Sequence, residues 1–140
     1  LKQAVDAALM KGYTIMWDAD VSNNGFMARQ GLALFAEPVK NESAAGDVNP
    51  DMPEQKYTAE LRQQYYENLT TQDDHLMHIV GIEKSKQGKE FFLVKNSWGA
   101  TGPYLGYVNV SEAYFAMNTI SLVVPKQAID PALLLKLGIK

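Results

Sequence analysis

Residues 73–82 read DDHLMHIVGI, and residues 95–99 read KNSWG. The stretches 78–85 and 89–98 are both rich in β-branched or aromatic residues, and a turn sequence around Gln87 separates them. This pattern predicts a β-hairpin. Simple pairing places Asn96 opposite residue 78 or 79, so a contact between Asn96 and His75 requires a small offset or a bulge.

The remaining chain predicts an α+β domain built on an antiparallel sheet, because several strands follow one or two helices. The segment 22–56 is rich in glycine, proline and asparagine and predicts a loop-rich insertion in which only residues 27–35 form a short helix. Asp51 and Glu54 resemble a capping box that opens the helix 54–68. The other predicted elements are helix 1–12, helix 112–117 with Ser111 as its N-cap, helix 130–138 with Asp130 as its N-cap, and strands 13–21, 104–110 and 120–124.

Length and composition exclude several classes of protein. A chain of 140 residues with 46% hydrophobic and 21% charged residues fits one globular domain. Its net charge of -3 and scattered lysines indicate no nucleic-acid surface, and no apolar run is long enough to cross a membrane. The absence of cysteine excludes disulfides and thiolate metal sites within these residues.

The two histidines allow a metal-site interpretation. On a helix, His75 and His78 would share a face and could bind zinc together with Asp73 or Asp74. The apolar residues that follow indicate a strand instead, in which the two side chains point to opposite faces and cannot share an ion. The metal site therefore remains the weakest alternative.

His75 and Asn96 also suggest general acid–base chemistry. An imidazole that acts as a base needs an acceptor that holds its second nitrogen, and the amide oxygen of Asn96 can serve. Trp98 would cover this bond from water, and the Asp73–Asp74 pair would favour the charged imidazole. The alternative is that His75, Asn96 and Trp98 are packing residues and that the two aspartates are solvated loop residues.

Four blocks of sequence, in order, carry a family resemblance: GYTIMWDADV, DDHLMHIVGI, VKNSWG and PYLGYVNVSEAYF. They resemble the papain-like cysteine peptidases, and most closely the bleomycin hydrolase and bacterial aminopeptidase C branch. Gly81 lies six positions after His75, which aligns His75 with the family's catalytic histidine and Asn96 with its asparagine. His78 falls at a non-catalytic strand position.

The resemblance implies a papain-like fold, with residues 1–140 forming the C-terminal part of the peptidase domain, mainly its β-sheet or barrel half with flanking helices. It implies a cysteine aminopeptidase that cleaves peptides through an acyl-enzyme and needs no cofactor or metal. His75 would sustain the thiolate and protonate the leaving amine, Asn96 would orient the ring, and Trp98 would shield their contact. The nucleophilic cysteine would lie in an N-terminal half that precedes residue 1, so we expect the isolated chain to be inactive.

The resemblance also implies features beyond the catalytic pair. Residues 125–140 would form a C-terminal arm whose terminal carboxylate, on Lys140, restricts the enzyme to aminopeptidase action, although the arm's leucine-rich helix can equally dock on a domain or a neighbouring subunit. A hexamer and a cytoplasmic location are expected, with periplasmic export as the alternative. The rival interpretation of function is a non-catalytic papain-like remnant that binds peptides or a protein partner.

Overall fold

The computed structural model describes residues 1–36 and 48–139. Part of the 22–56 insertion and the terminal Lys140 therefore lie outside the described residues. Along the chain the elements are α1 (Lys2–Met10), β1 (Ile15–Ala19), β2 (Phe26–Met27), β3 (Leu32–Ala33), α2 (Ala59–Glu67), β4 (His75–Lys84), β5 (Glu90–Lys95), β6 (Tyr107–Ser111), α3 (Glu112–Asn118), β7 (Thr119–Val123), a 3-10 turn (Lys126–Ala128) and α4 (Pro131–Lys136).

The described strands form one sheet in the order β2-β3-β6-β5-β4-β1-β7. The pairings β6–β5, β5–β4, β4–β1 and β1–β7 are antiparallel, as the sequence predicts. The short strand β3 is parallel to β6, so the sheet is mixed. The predicted papain-like α+β fold is confirmed, and the predicted β4–β5 hairpin forms its centre.

The main core lies on one face of this sheet, and a smaller cluster of Leu32, Leu34 and Phe91 is buried separately. Alternate residues of the central strands are buried in the main core because successive side chains of a strand point to opposite faces. Trp17 is fully buried, and its ring lies 5.7 Å from that of Phe115 on α3. Phe92 on β5 packs against the same ring at 4.8 Å. Helix α1 adds the buried Val5 and Ala8, which makes it the second layer of the domain.

Two predictions of local structure are wrong. Residues 27–35 do not form a helix: β2 and β3 are joined by a turn in which Gly31 adopts a φ of +69°. A Cβ at Gly31 would lie 2.4 Å from the ring of Tyr104, so the turn requires glycine for space as well as for conformation.

The helix predicted from residue 54 begins later, at Ala59, with Thr58 as its N-cap. Asp51 and Glu54 are not its caps because both carboxylates bind other parts of the chain. Asp51 accepts a hydrogen bond from the Ser85 hydroxyl, and Glu54 pairs with Lys89 at 2.7 Å and accepts the Phe35 N–H. The predicted end of this helix near residue 68 and the N-caps Ser111 and Asp130 are confirmed.

The buried hydroxyl of Tyr114 allows a test of the core. It donates a hydrogen bond of 2.8 Å to the backbone carbonyl of Asp20. We expect Tyr114→Phe to lower the free energy of unfolding by about 1 kcal/mol, because a buried acceptor loses a partner. Urea unfolding measures the change. Tyr13→Phe is the control, because Tyr13 packs against the same core and its hydroxyl has no hydrogen bond among the described residues; equal losses in both variants would contradict the assignment.

Candidate active site

Strand β4 separates the two histidines. His75 lies half-buried on the face of β4 that also carries the buried Met77 and Ile79, whereas His78 is exposed on the opposite face. His78 Nε2 is 2.7 Å from the Thr14 hydroxyl. The metal-site interpretation is therefore wrong for this pair, and no cluster of three metal-ligating side chains occurs among residues 1–36 and 48–139.

A bulge in β4 determines which histidine meets Asn96. Beyond the bulge, Gly81 pairs with Leu93 and Lys84 with Glu90. That register, continued without interruption, would place Asn96 opposite His78. Val80 is an extra residue between Ile79 and Gly81, and it shifts the pairing so that His78 faces Lys95. Asn96, one residue further, then lies across from Met77, on the same face as His75.

The resulting contact joins His75 Nε2 to Asn96 Oδ1 at 2.8 Å. The same oxygen accepts the backbone N–H of Ser97 at 2.7 Å. Because a backbone amide can only donate, this second bond identifies the atom as oxygen, so Nε2 must carry the proton. Nδ1 is then the basic nitrogen of the neutral ring, and it makes no hydrogen bond to any described residue.

Asn96 is held rigidly for this contact. Its side chain is 3% exposed, and its backbone N–H donates to the carbonyl of Gly106 at 3.0 Å. Gly106 adopts a φ of +88°, and a Cβ there would lie 2.1 Å from the Gly99 carbonyl oxygen. The loop between Asn96 and β6 therefore closes only with glycine at residue 106. Asn96 Nδ2 is buried without a partner among the described residues.

Trp98 stacks on the histidine. The two ring centroids are 4.7 Å apart at an interplanar angle of 34°, and the rings of Phe26 and Trp98 meet edge-on with centroids 6.0 Å apart. Trp98 is 46% exposed, so the interpretation of Trp98 as a core residue is wrong. His75, Asn96 and Trp98 are thus brought together at one site, as the sequence predicts, while the structure does not describe Lys140.

These features agree with the comparisons with known proteins. The model of the papain family of cysteine proteases matches residues 32–123. The chain belongs to this family. No curated protein matches its sequence.

Two solved structures are similar to this chain. PepW from Lactobacillus rhamnosis HN001 (DR20) has a TM-score of 0.65 at 20% identity, over 96% of this chain and 28% of that chain. The bromelain protease from Ananas comosus, solved with the E64 inhibitor, has a TM-score of 0.45 at 19% identity, over 84% of this chain and 42% of that chain. The chain therefore spans less than half the length of either protein.

Several acidic side chains surround the beginning of β4. Burial, followed by the charge of Asp73, raises the pKa of Asp18 above its ordinary value of 3.8. Asp74 is exposed and accepts the Val21 N–H at 3.0 Å. Neither Asp73 nor Asp74 is hydrogen-bonded to His75 in the described part of the chain. The predicted influence of this pair on the charge of His75 stays a prediction.

One residue of this region, Asp20, was not predicted from the sequence. Its carboxylate is 2% exposed and accepts three hydrogen bonds. The available signal was an aspartate directly after a buried strand, followed two residues later by a serine that can donate to it.

None of the helices in the described ranges is long and apolar enough to cross a bilayer.

Trp98→Ala tests the protection of the His75–Asn96 bond. Removal of the stacked indole opens one face of the imidazole to water, so we expect the His75 Nε2 proton to exchange at least about tenfold faster, as for a hydrogen bond that opens more readily. Proton NMR measures the exchange. Tyr104→Ala is the control, because Tyr104 is similarly exposed in the same loop and does not contact His75. Unchanged exchange in Trp98→Ala would refute the protection.

Asp73→Asn tests the acidic pair. Removal of the like charge lowers the pKa of Asp18, which carbon NMR of the carboxyl groups measures. A raised folded-state pKa means that ionisation of Asp18 costs stability as the pH rises above 3.8 through that pKa. The free energy of unfolding should therefore fall less over this window in Asp73→Asn than in the wild type. Glu83→Gln, on the distant end of β4, serves as control, and an unmoved Asp18 pKa contradicts the coupling.

Proposed function

We propose that this chain supplies the histidine and asparagine of a cysteine-type aminopeptidase. The proposal rests on the 2.8 Å contact between His75 Nε2 and Asn96 Oδ1. Because this contact occupies Nε2, Nδ1 is the nitrogen available to a reaction partner. A base in nucleophilic catalysis requires this arrangement, with one nitrogen held by an acceptor and the other directed at the nucleophile. Membership of the papain family supports a thiol as that nucleophile.

The nucleophile belongs outside these residues. The chain contains no cysteine, and it spans 28% of the length of PepW. In the proposed reaction a cysteine thiol from the N-terminal half transfers its proton to His75 Nδ1, and the thiolate attacks the carbonyl carbon of the amino-terminal peptide bond. The imidazolium then protonates the leaving amine, and water hydrolyses the acyl-enzyme with His75 again as base.

The remaining residues of the site support this assignment of roles. Asn96 fixes the ring orientation and, because its oxygen is an acceptor, keeps the proton on Nε2. Trp98 limits access of water to that bond. The aminopeptidase specificity rests on the resemblance of the four sequence blocks to the aminopeptidase C branch, in which the terminal carboxylate of the C-terminal arm would pair with the amino group of the substrate.

The test uses the full-length protein from its source. We expect an intact mass far above 15.5 kDa and hydrolysis of aminoacyl substrates that alkylation of thiols abolishes. His75→Gln should lower kcat/KM by roughly 10²- to 10⁴-fold, the usual contribution of a general acid–base residue. His78→Gln is the matched control and should leave the activity near that of the wild type, since His78 lies on the opposite face of β4.

Two outcomes would reject the proposal. Hydrolysis that survives alkylation or His75→Gln would assign the activity to another group. A mass near 15.5 kDa without turnover would favour a papain-like remnant that binds peptides or a protein partner. The isolated chain of 140 residues should show no hydrolysis that is sensitive to thiol reagents.

A further inference from the structure

Two loops meet at the beginning of β4. Residues 20–23 follow β1, and residues 72–74 lead into His75. Ala19, the last residue of β1, pairs with His75 across the sheet. The positions of both loops therefore affect where the backbone of His75 lies.

The contacts between these loops are reciprocal. Asp20 in the first loop accepts the backbone N–H of Gln72 in the second at 3.2 Å. Asp74 in the second accepts the backbone N–H of Val21 in the first at 3.0 Å. Each loop thus offers one carboxylate to a backbone amide of the other. Hydrogen bonds to a charged acceptor are stronger than neutral ones, so the pair restrains the loops on both sides.

Asp20 is also anchored to the core. Its carboxylate accepts the N–H and the hydroxyl of Ser22 at 2.8 and 2.7 Å, and its own carbonyl accepts the Tyr114 hydroxyl. Among the described residues no lysine, arginine or histidine forms an ion pair with it. Burial of a carboxylate that is balanced only by hydrogen-bond donors costs free energy, because the charge loses its hydration. This cost indicates that Asp20 has a role in this network beyond packing.

We propose that Asp20 and Asp74 are positioning residues that form a clamp on residues 72–74 and thereby hold the His75 ring against Asn96. The clamp acts on the backbone of the loop, immediately before the strand whose first residue is His75. A rigid start of β4 keeps the imidazole in the orientation that the bond to Asn96 requires, and small displacements of a catalytic group reduce rates strongly. The catalytic part of this inference rests on the proposed function, and the structural part does not.

The first test is made on the chain itself. Asp74→Ala removes the acceptor for Val21, and we expect the His75 Nε2 proton to exchange about tenfold faster, the effect of losing one hydrogen bond to a charged group. Asp74→Asn keeps an oxygen that can accept the Val21 N–H but removes the charge, so exchange should fall between that of the wild type and that of Asp74→Ala. Because Asp74 is exposed, both variants are expected to fold.

Asp20 provides the second variant and its control. Asp20→Asn replaces one of the two carboxylate oxygens with a donor, so it cannot satisfy both Ser22 and Gln72, and exchange should again accelerate. Ser22→Ala removes a hydroxyl from the same carboxylate without affecting the Gln72 bond, and exchange should not change. Urea unfolding of each variant separates a local effect on His75 from a general loss of stability.

The same variants in the full-length protein test the consequence for catalysis. We expect Asp74→Ala to lower kcat about tenfold with little change in KM, because the substrate still binds but the base is displaced. Normal exchange in both Asp74→Ala and folded Asp20→Asn would overturn the clamp, as would an Asp74→Asn variant as impaired as Asp74→Ala. If the wild type shows no thiol-dependent hydrolysis, the proposed function fails, and the exchange measurements still decide the clamp.

Discussion

The pairing of β4 with β5, including the bulge at Val80, is the constraint on which the site depends. Side chains alternate along a strand, so a shift of one residue decides which face of β4 Asn96 meets. With the bulge, Asn96 lies on the face of His75, and the buried Met77 and Ile79 lie on that same face. The core packing that stabilises the sheet therefore also enforces the register that brings the amide to the imidazole.

Polar groups stabilise the connections around this sheet. Glu54 ties the segment before α2 to Phe35, just after β3, and to Lys89, just before β5. Asp20 ties together the two loops beside His75, residues 20–23 and 72–74, by accepting the Gln72 N–H. Both carboxylates are almost completely buried and accept several hydrogen bonds, as buried charges must if they are not to destabilise the fold. The loops that carry the site are thus ordered by specific hydrogen bonds rather than by apolar packing alone.

The sequence predicts the parts of this arrangement that local pattern controls. The strand at His75, the hairpin and the caps at Ser111 and Asp130 follow from alternation, turn residues and side-chain acceptors. The bulge could not be placed, because it depends on which partner residues pair across the hairpin. The capping role expected of Asp51 and Glu54 was wrong for a similar reason: their partners Ser85 and Lys89 are more than 30 residues away in the chain.

The central claim is that Asn96 holds the neutral His75 ring with the proton on Nε2 and leaves Nδ1 free to accept one. A nitrogen–proton correlation NMR spectrum of the chain, at a pH where the imidazole is neutral, tests it most directly because the nitrogen shifts identify the tautomer. The predicted result is a single tautomer protonated at Nε2, with that proton hydrogen-bonded to Asn96. A His75 ring protonated at Nδ1, or one without a hydrogen bond to Asn96, would contradict it.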